Sequence, residues 1–123
     1  MRTTLAVLFV GILGLGAVSA SAAEAKLETI AALYQNKSTL AGKEVRVRGK
    51  VVKVNNNIMG RNFLHLRDGT GDKDTNDLTV TSNETAAAGD QVTVTGRVVI
   101  NKDFGSGYSY ALLLEEAKVT AKK

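Results

Sequence analysis

Few side chains in this sequence can do chemistry alone. His65 is the only histidine, and there is no cysteine. Without thiols there is no disulfide, thiolate metal site or sulfur nucleophile. Met59 stands in the turn before His65. An imidazole and a thioether could ligate copper or haem iron. Most metal sites use three or four ligands, so a histidine hydrogen-bonded on a strand surface is the plainer reading. The run Asp72-Lys73-Asp74-Thr75-Asn76-Asp77 alternates oxygen ligands, but Asp77 and Asn83 fall where a calcium loop needs Gly and Glu. It reads as a solvated hairpin tip. Glu115 and Glu116 adjoin, so on a strand they face opposite sides. No nucleophile elbow surrounds a serine. The usual base and nucleophile combinations are missing, and an enzyme is not expected.

Aromatic and basic residues offer more. Phe63, His65 and Arg67 are spaced by two, which puts a ring, an imidazole and a guanidinium on one strand face. Thr79 and Thr81 would lie beside them, with Arg61 and Lys53 nearby. Phe104, Tyr108 and Tyr110 add a second set of rings. Such a surface could stack bases, each stack contributing about 1–3 kcal/mol, while the cations meet phosphates. The competing reading has Phe63 and the tyrosines covering the end of a barrel or an amino-terminal helix. Arg46, Arg48, Lys50 and Lys53 form a basic strand. It is either a phosphate-tracking stripe or a solvated face whose charges discourage edge pairing.

The elements that must position these groups fit one small domain of a 123-residue chain. Residues 1–22 are set apart. Arg2, the apolar run Leu5–Val18 and the small residues Ala20, Ser21 and Ala22 follow the order of a cleavable export signal. The apolar run is shorter than the roughly 20 residues of a spanning helix. A periplasmic or secreted chain starting at Ala23 is expected. Without Arg2 it has 15 basic and 12 acidic residues, a net of +3. Residues 23–41 supply a helix and linker. Leu27, Ile30, Ala31 and Tyr34 make an apolar stripe that predicts a helix over Lys26–Asn36.

Five strands are predicted over Glu44–Val54, Arg61–Asp68, Asp77–Ser82, Gln91–Ile100 and Tyr108–Thr120, with residues 121–123 frayed. Val45, Val47, Leu64, Leu66, Leu78, Val80, Val92, Val94 and Val98 point inward by alternation. Gly49 and Gly96 mark bends. The segments between strands carry Gly, Asn or Asp. The fold class is mostly β: a small antiparallel barrel with one short amino-terminal helix.

The run Phe63-Leu64-His65-Leu66-Arg67-Asp68-Gly69-Thr70-Gly71 resembles the second strand and turn of OB-fold domains of the anticodon-binding type. These occur in class II aminoacyl-tRNA synthetases and related DNA-processing proteins. Gly42-Lys43-Glu44-Val45 is similar to the opening of that pattern, and Ala88–Gly96 to its fourth strand. The resemblance spans roughly residues 42–119 and also takes in small exported bacterial OB-fold proteins. It implies a five-stranded OB-type β-barrel over 42–120 that binds single-stranded nucleic acid or another polyanion, without a cofactor. Phe63 falls on the family's stacking aromatic. His65, Arg67, Arg61, Lys53, Thr79, Thr81, Phe104, Tyr108 and Tyr110 complete the implied face. The low net charge and the acidic turn Asp68–Asp77 depart from a strong nucleic-acid binder. A periplasmic protein partner, or a haem or metal cofactor, is the alternative.

Overall fold

A computed structural model of the chain describes residues 25–105 and 107–121. The expected export signal lies outside the described residues. Among them, no helix is long and apolar enough to cross a membrane.

The elements in chain order are β1 (Lys26–Leu27), α1 (Ile30–Gln35), α2 (Lys37–Leu40), β2 (Glu44–Ile58), β3 (Arg61–Arg67), β4 (Leu78–Ser82), β5 (Gln91–Gly105) and β6 (Tyr108–Ala121). The sheet runs β1-β2-β3-β4-β6-β5, and β5 also pairs with β2. Five strands therefore close into a ring. Among the described residues, β1–β2 and β4–β6 are the parallel pairs and the others are antiparallel.

The inward residues are those that alternation selects. Val45, Val47, Val51, Leu64, Leu66, Leu78, Val80, Val92, Val94, Val98 and Leu114 are all buried in one cluster. Ile30 and Leu33 of α1 join it, so the helix covers one end of the ring.

The helix is shorter than its apolar stripe predicts. Lys26 and Leu27 pair with Val45 and Arg46 instead, and the Glu28 N–H donates to the Arg46 carbonyl at 2.8 Å. Leu27 is exposed, and Leu33 takes the buried place. Thr29 is the N-cap and accepts from the Ala32 N–H. The two N–H groups before it are satisfied from across the fold. Ile30 N–H donates to Asp68 Oδ2 at 2.9 Å, and Ala31 N–H to Thr70 Oγ1 at 3.0 Å. Thr70 in turn donates its N–H and hydroxyl to Asp68 Oδ1. The Asp-Gly-Thr turn after β3 thus holds the helix as well as reversing the chain.

The strands are longer than predicted where loops were expected. β2 continues to Ile58, which pairs with Arg61 across a tight turn with Asn57 and Met59 at positive φ. β5 and β6 pair as far as Gly105 and Tyr108. Ala121, expected to fray, still pairs with Val92. The bend in β2 is at a bulge between Val51 and Lys53. Gly49 serves a different need: a Cβ there would sit 3.0 Å from the Arg67 carbonyl oxygen. Gly96 faces a bulge in β6, where Glu116 has φ 55°.

Replacing Asp68 with Ala removes the acceptor for the Ile30 N–H and the anchor of Thr70. Loss of a helix cap typically costs about 0.5–2 kcal/mol. Urea unfolding of Asp68→Ala should show a stability loss toward the upper end of that range. Parental stability would refute the docking role of the turn.

Candidate functional site

The outer side of β3 and β4 assembles as the period of two requires. Phe63 is the Cα partner of Thr81, and His65 of Thr79. The face is nevertheless not open along its whole length. Phe63 is only 2% exposed, and Thr79 and Thr81 are buried. Leu113 of β6, the Cα partner of Thr79, is also fully buried. Phe63 and Leu113 stand apart from the central cluster. The expectation of an accessible stacking ring at Phe63 is corrected: this ring is covered.

The cover is the far end of the β5–β6 hairpin, not the amino-terminal helix. The Phe104 ring meets Phe63 edge-on, with centroids 5.6 Å apart and an interplanar angle of 73°. Tyr108 and Tyr110 stand at 6.3 and 6.1 Å from the same ring. Burial, followed by the neighbouring Tyr108, pushes the Tyr110 hydroxyl above its ordinary pKa. Aromatic pairs of this geometry contribute about 0.5–1.5 kcal/mol each beyond area burial.

Charge binds the same cluster. The Arg61 guanidinium lies 5.2 Å and the Lys102 ammonium 5.3 Å from the Phe104 ring centroid. Both cations share Glu115: Arg61 Nη1 is 3.1 Å from Oε1, and Lys102 Nζ 3.9 Å from Oε2. The Glu115 side chain is 8% exposed. Glu116 points to solvent and pairs with Arg97. Arg61 is therefore committed to this cluster.

His65 sits further along β3. Its Nδ1 is 2.9 Å from Asp77 Oδ1, and Arg67 Nε donates to Asp77 Oδ2 at 3.4 Å. The Tyr34 hydroxyl of α1 donates to the Asp77 carbonyl at 2.6 Å. Burial, then the Asp77 charge, raises the Tyr34 pKa, keeping the donor protonated. Met59 is exposed at the β2–β3 turn. Among the described residues, no group of three or more His, Cys, Asp or Glu side chains could hold a metal.

The open part of the face lies over β2 and the end of β3. Lys50 is paired with Arg67 and Lys53 with His65, so their side chains share one side. A surface groove of about 540 Å³ runs there, lined by Arg48, Lys50, Val52, Arg67 and Gln91 over Gly49. Asp68 also borders it, but its carboxylate is turned to the α1 N-terminus. Among the described residues, Arg48, Lys50 and Lys53 have no ion-pair partner. Arg67 is 54% exposed despite its contact with Asp77. A second cleft, of about 420 Å³, is lined by residues of both signs, including Arg61, Glu84, Glu115 and Lys118.

No family model matches the sequence, and no curated protein matches it. Solved structures do. A putative aspartyl-tRNA synthetase from Leishmania major Friedlin aligns with a TM-score of 0.57 and 16% identity, over 86% of this chain and 22% of that one. Asparaginyl-tRNA synthetase from Entamoeba histolytica, in complex with asparaginyl-adenylate, aligns at 0.51 and 17%, over 79% and 24%. An OBody bound to hen egg-white lysozyme aligns at 0.50 and 14%, over 68% and 84%. The fold is OB-like. The chain spans less than a quarter of either synthetase, so only that fold is shared with them.

On this OB-like ring, Arg67 lines the open groove, while Lys53 stands beyond it, paired with His65. Phe63, Thr79, Thr81, Phe104, Tyr110 and Arg61 belong to the covered cluster, and Tyr108 is its exposed rim at 40%. Three participants are not assigned to this face by the sequence: Asp77 reads there as part of a solvated turn, Glu115 as one of two adjoining carboxylates, and Lys102 is not singled out. Each acts through a partner on another strand or across a loop, and no spacing rule links such pairs.

Glu115→Gln keeps the shape and removes the charge facing Arg61 and Lys102. Both cations are partly exposed, so solvent screens the loss. Stability should fall by about 1–2 kcal/mol in thermal or urea melts at low salt. The gap from the parent should narrow at high salt. An unchanged melt would show that the carboxylate does not hold the cluster.

Proposed function

We infer that this chain is an exported, non-enzymatic OB-type barrel that binds single-stranded nucleic acid along β2 and the end of β3. The observation that carries the reading is the row of Arg48, Lys50 and Lys53 on the outer face, without an ion-pair partner among the described residues, with Arg67 across from Lys50. Arg48 and Lys50 are alternate residues, about 6.6 Å apart along the strand, and Lys53 follows on the same side across the bulge. Cations at that interval suit an extended chain of phosphates. Two of the solved structures with this fold are tRNA synthetases, proteins whose names place them with RNA. Covering Phe63 shifts the weight from base stacking to backbone attraction, so sequence preference should be low.

The test is titration of a labelled single-stranded oligonucleotide at several salt concentrations. Affinity should drop as salt rises, with a log–log slope of about 0.7 per phosphate neutralised. Lys50→Gln and Lys53→Gln should each weaken binding and flatten that slope by about that amount. Absence of binding at low salt would end this reading. It would leave a protein partner, favoured by Val52 standing exposed at the bulge and by an OBody of similar fold that is bound to lysozyme.

Export supports a partner met outside the cytoplasm and rests on residues 1–22. Mass spectrometry of the expressed protein should give a chain starting at Ala23. A chain retaining Met1 in the cell fraction would contradict export.

A further inference from the structure

The row of cations leaves the buried rings unexplained. Phe63 lies on the same outer face as His65 and Arg67, yet it is sealed. Its seal is not part of the closed ring. The last hairpin pair with core contacts is Ile100 with Leu112. Beyond it, Lys102–Tyr110, Asp103–Ser109 and Gly105–Tyr108 pair as a two-stranded ribbon. Such a ribbon is marginal by itself. Asn101, at its root, has φ 55°, in the left-handed region that few residues other than glycine adopt. The ribbon is held down by its rings on Phe63 and by Lys102 on Glu115.

Phe104 is the central piece. It touches an aromatic ring edge-on while two cations, Arg61 and Lys102, lie over it. These are the surroundings that a nucleobase and its neighbouring phosphates would find here. The cluster has an excess of positive charge, because the two cations share one carboxylate. The groove ends at Arg67, and from there the outer face of β3 continues past His65, with Lys53 beside it, to Phe63.

We propose that Phe104 is an internal plug occupying the place of a base on Phe63, and that a single strand held in the groove displaces it. Phe63 then stacks on a base, and Arg61 and Lys102 turn to phosphate. This rests on the single-strand reading above and adds a second, latent subsite to it.

The experiment compares the full chain and Phe104→Ala with one labelled oligothymidylate at fixed salt. Phe104→Ala should bind about fivefold tighter, the equilibrium weight of one aromatic pair. The gain should vanish in Phe63→Ala/Phe104→Ala. Equal or weaker binding by Phe104→Ala overturns the plug. If that variant does not fold, the parent decides. Its Phe63–Phe104 ring cross-peaks in NMR spectra should disappear when oligothymidylate is added, and their persistence at saturation overturns the plug. Salt-dependent binding by the parent with neither effect sinks the plug alone. No binding by parent or variant sinks both the plug and the single-strand reading.

Discussion

β2 belongs to both sides of the ring, and that double membership governs the rest of the molecule. Its first half pairs with β5 and its second half with β3, and Lys50 has a partner on each, Gln91 and Arg67. A strand can be shared in this way only if it bends sharply at the hand-over. Gly49 lets the β3 backbone approach where a side chain would collide. The bulge at Val52 completes the turn and increases the local twist. The same bend opens the groove between β2 and β3, and it sets Arg48, Lys50 and Arg67 around that groove. Ring closure and the charged surface thus share one cause.

The two ends of the outer face differ in how they manage charge. At the groove end, the β2 cations are left to solvent. At the hairpin end, Arg61 and Lys102 lie against a ring and a mostly buried carboxylate. Cations over an aromatic face contribute about 0.5–2 kcal/mol, more as water is excluded. Burying Glu115 without its partners would cost more than that. The aromatic contacts and the ion pairs therefore depend on each other. Between the two ends, Asp77 ties His65 and Arg67 together and accepts from Tyr34, linking the face to the helix.

Much of the fold was legible in the sequence because its cause is local. Alternation in Leu64, Leu66, Leu78 and Val80 identifies the inside, since a strand has only two sides. Phe63, His65 and Arg67 fall on the other side for the same reason. What alternation cannot report is whether an outward residue meets water. Phe63 is covered by residues about forty positions later, and no local period encodes that contact. The helix starts later than its pattern predicts because Leu27 fits the apolar stripe, whereas the deciding interaction is backbone pairing with Val45 and Arg46. The Asp68-Gly69-Thr70 turn was visible as a turn. Its grip on the Ile30 and Ala31 N–H groups was not, because the helix it caps lies far away in sequence.

The short strand β1 has an effect out of proportion to its length. The first half of β2 would otherwise present unpaired N–H and C=O groups on the side away from β5, rich in valine and ready to accept a strand from another molecule. Lys26 and Leu27 occupy that side, followed by the Glu28 N–H bond to Arg46. With its own leading segment in that position, the sheet has no vacancy there for a neighbour. The chain ends its own growth in the hydrogen-bonding direction, so a crowded solution of these molecules has one route to fibrous stacking fewer.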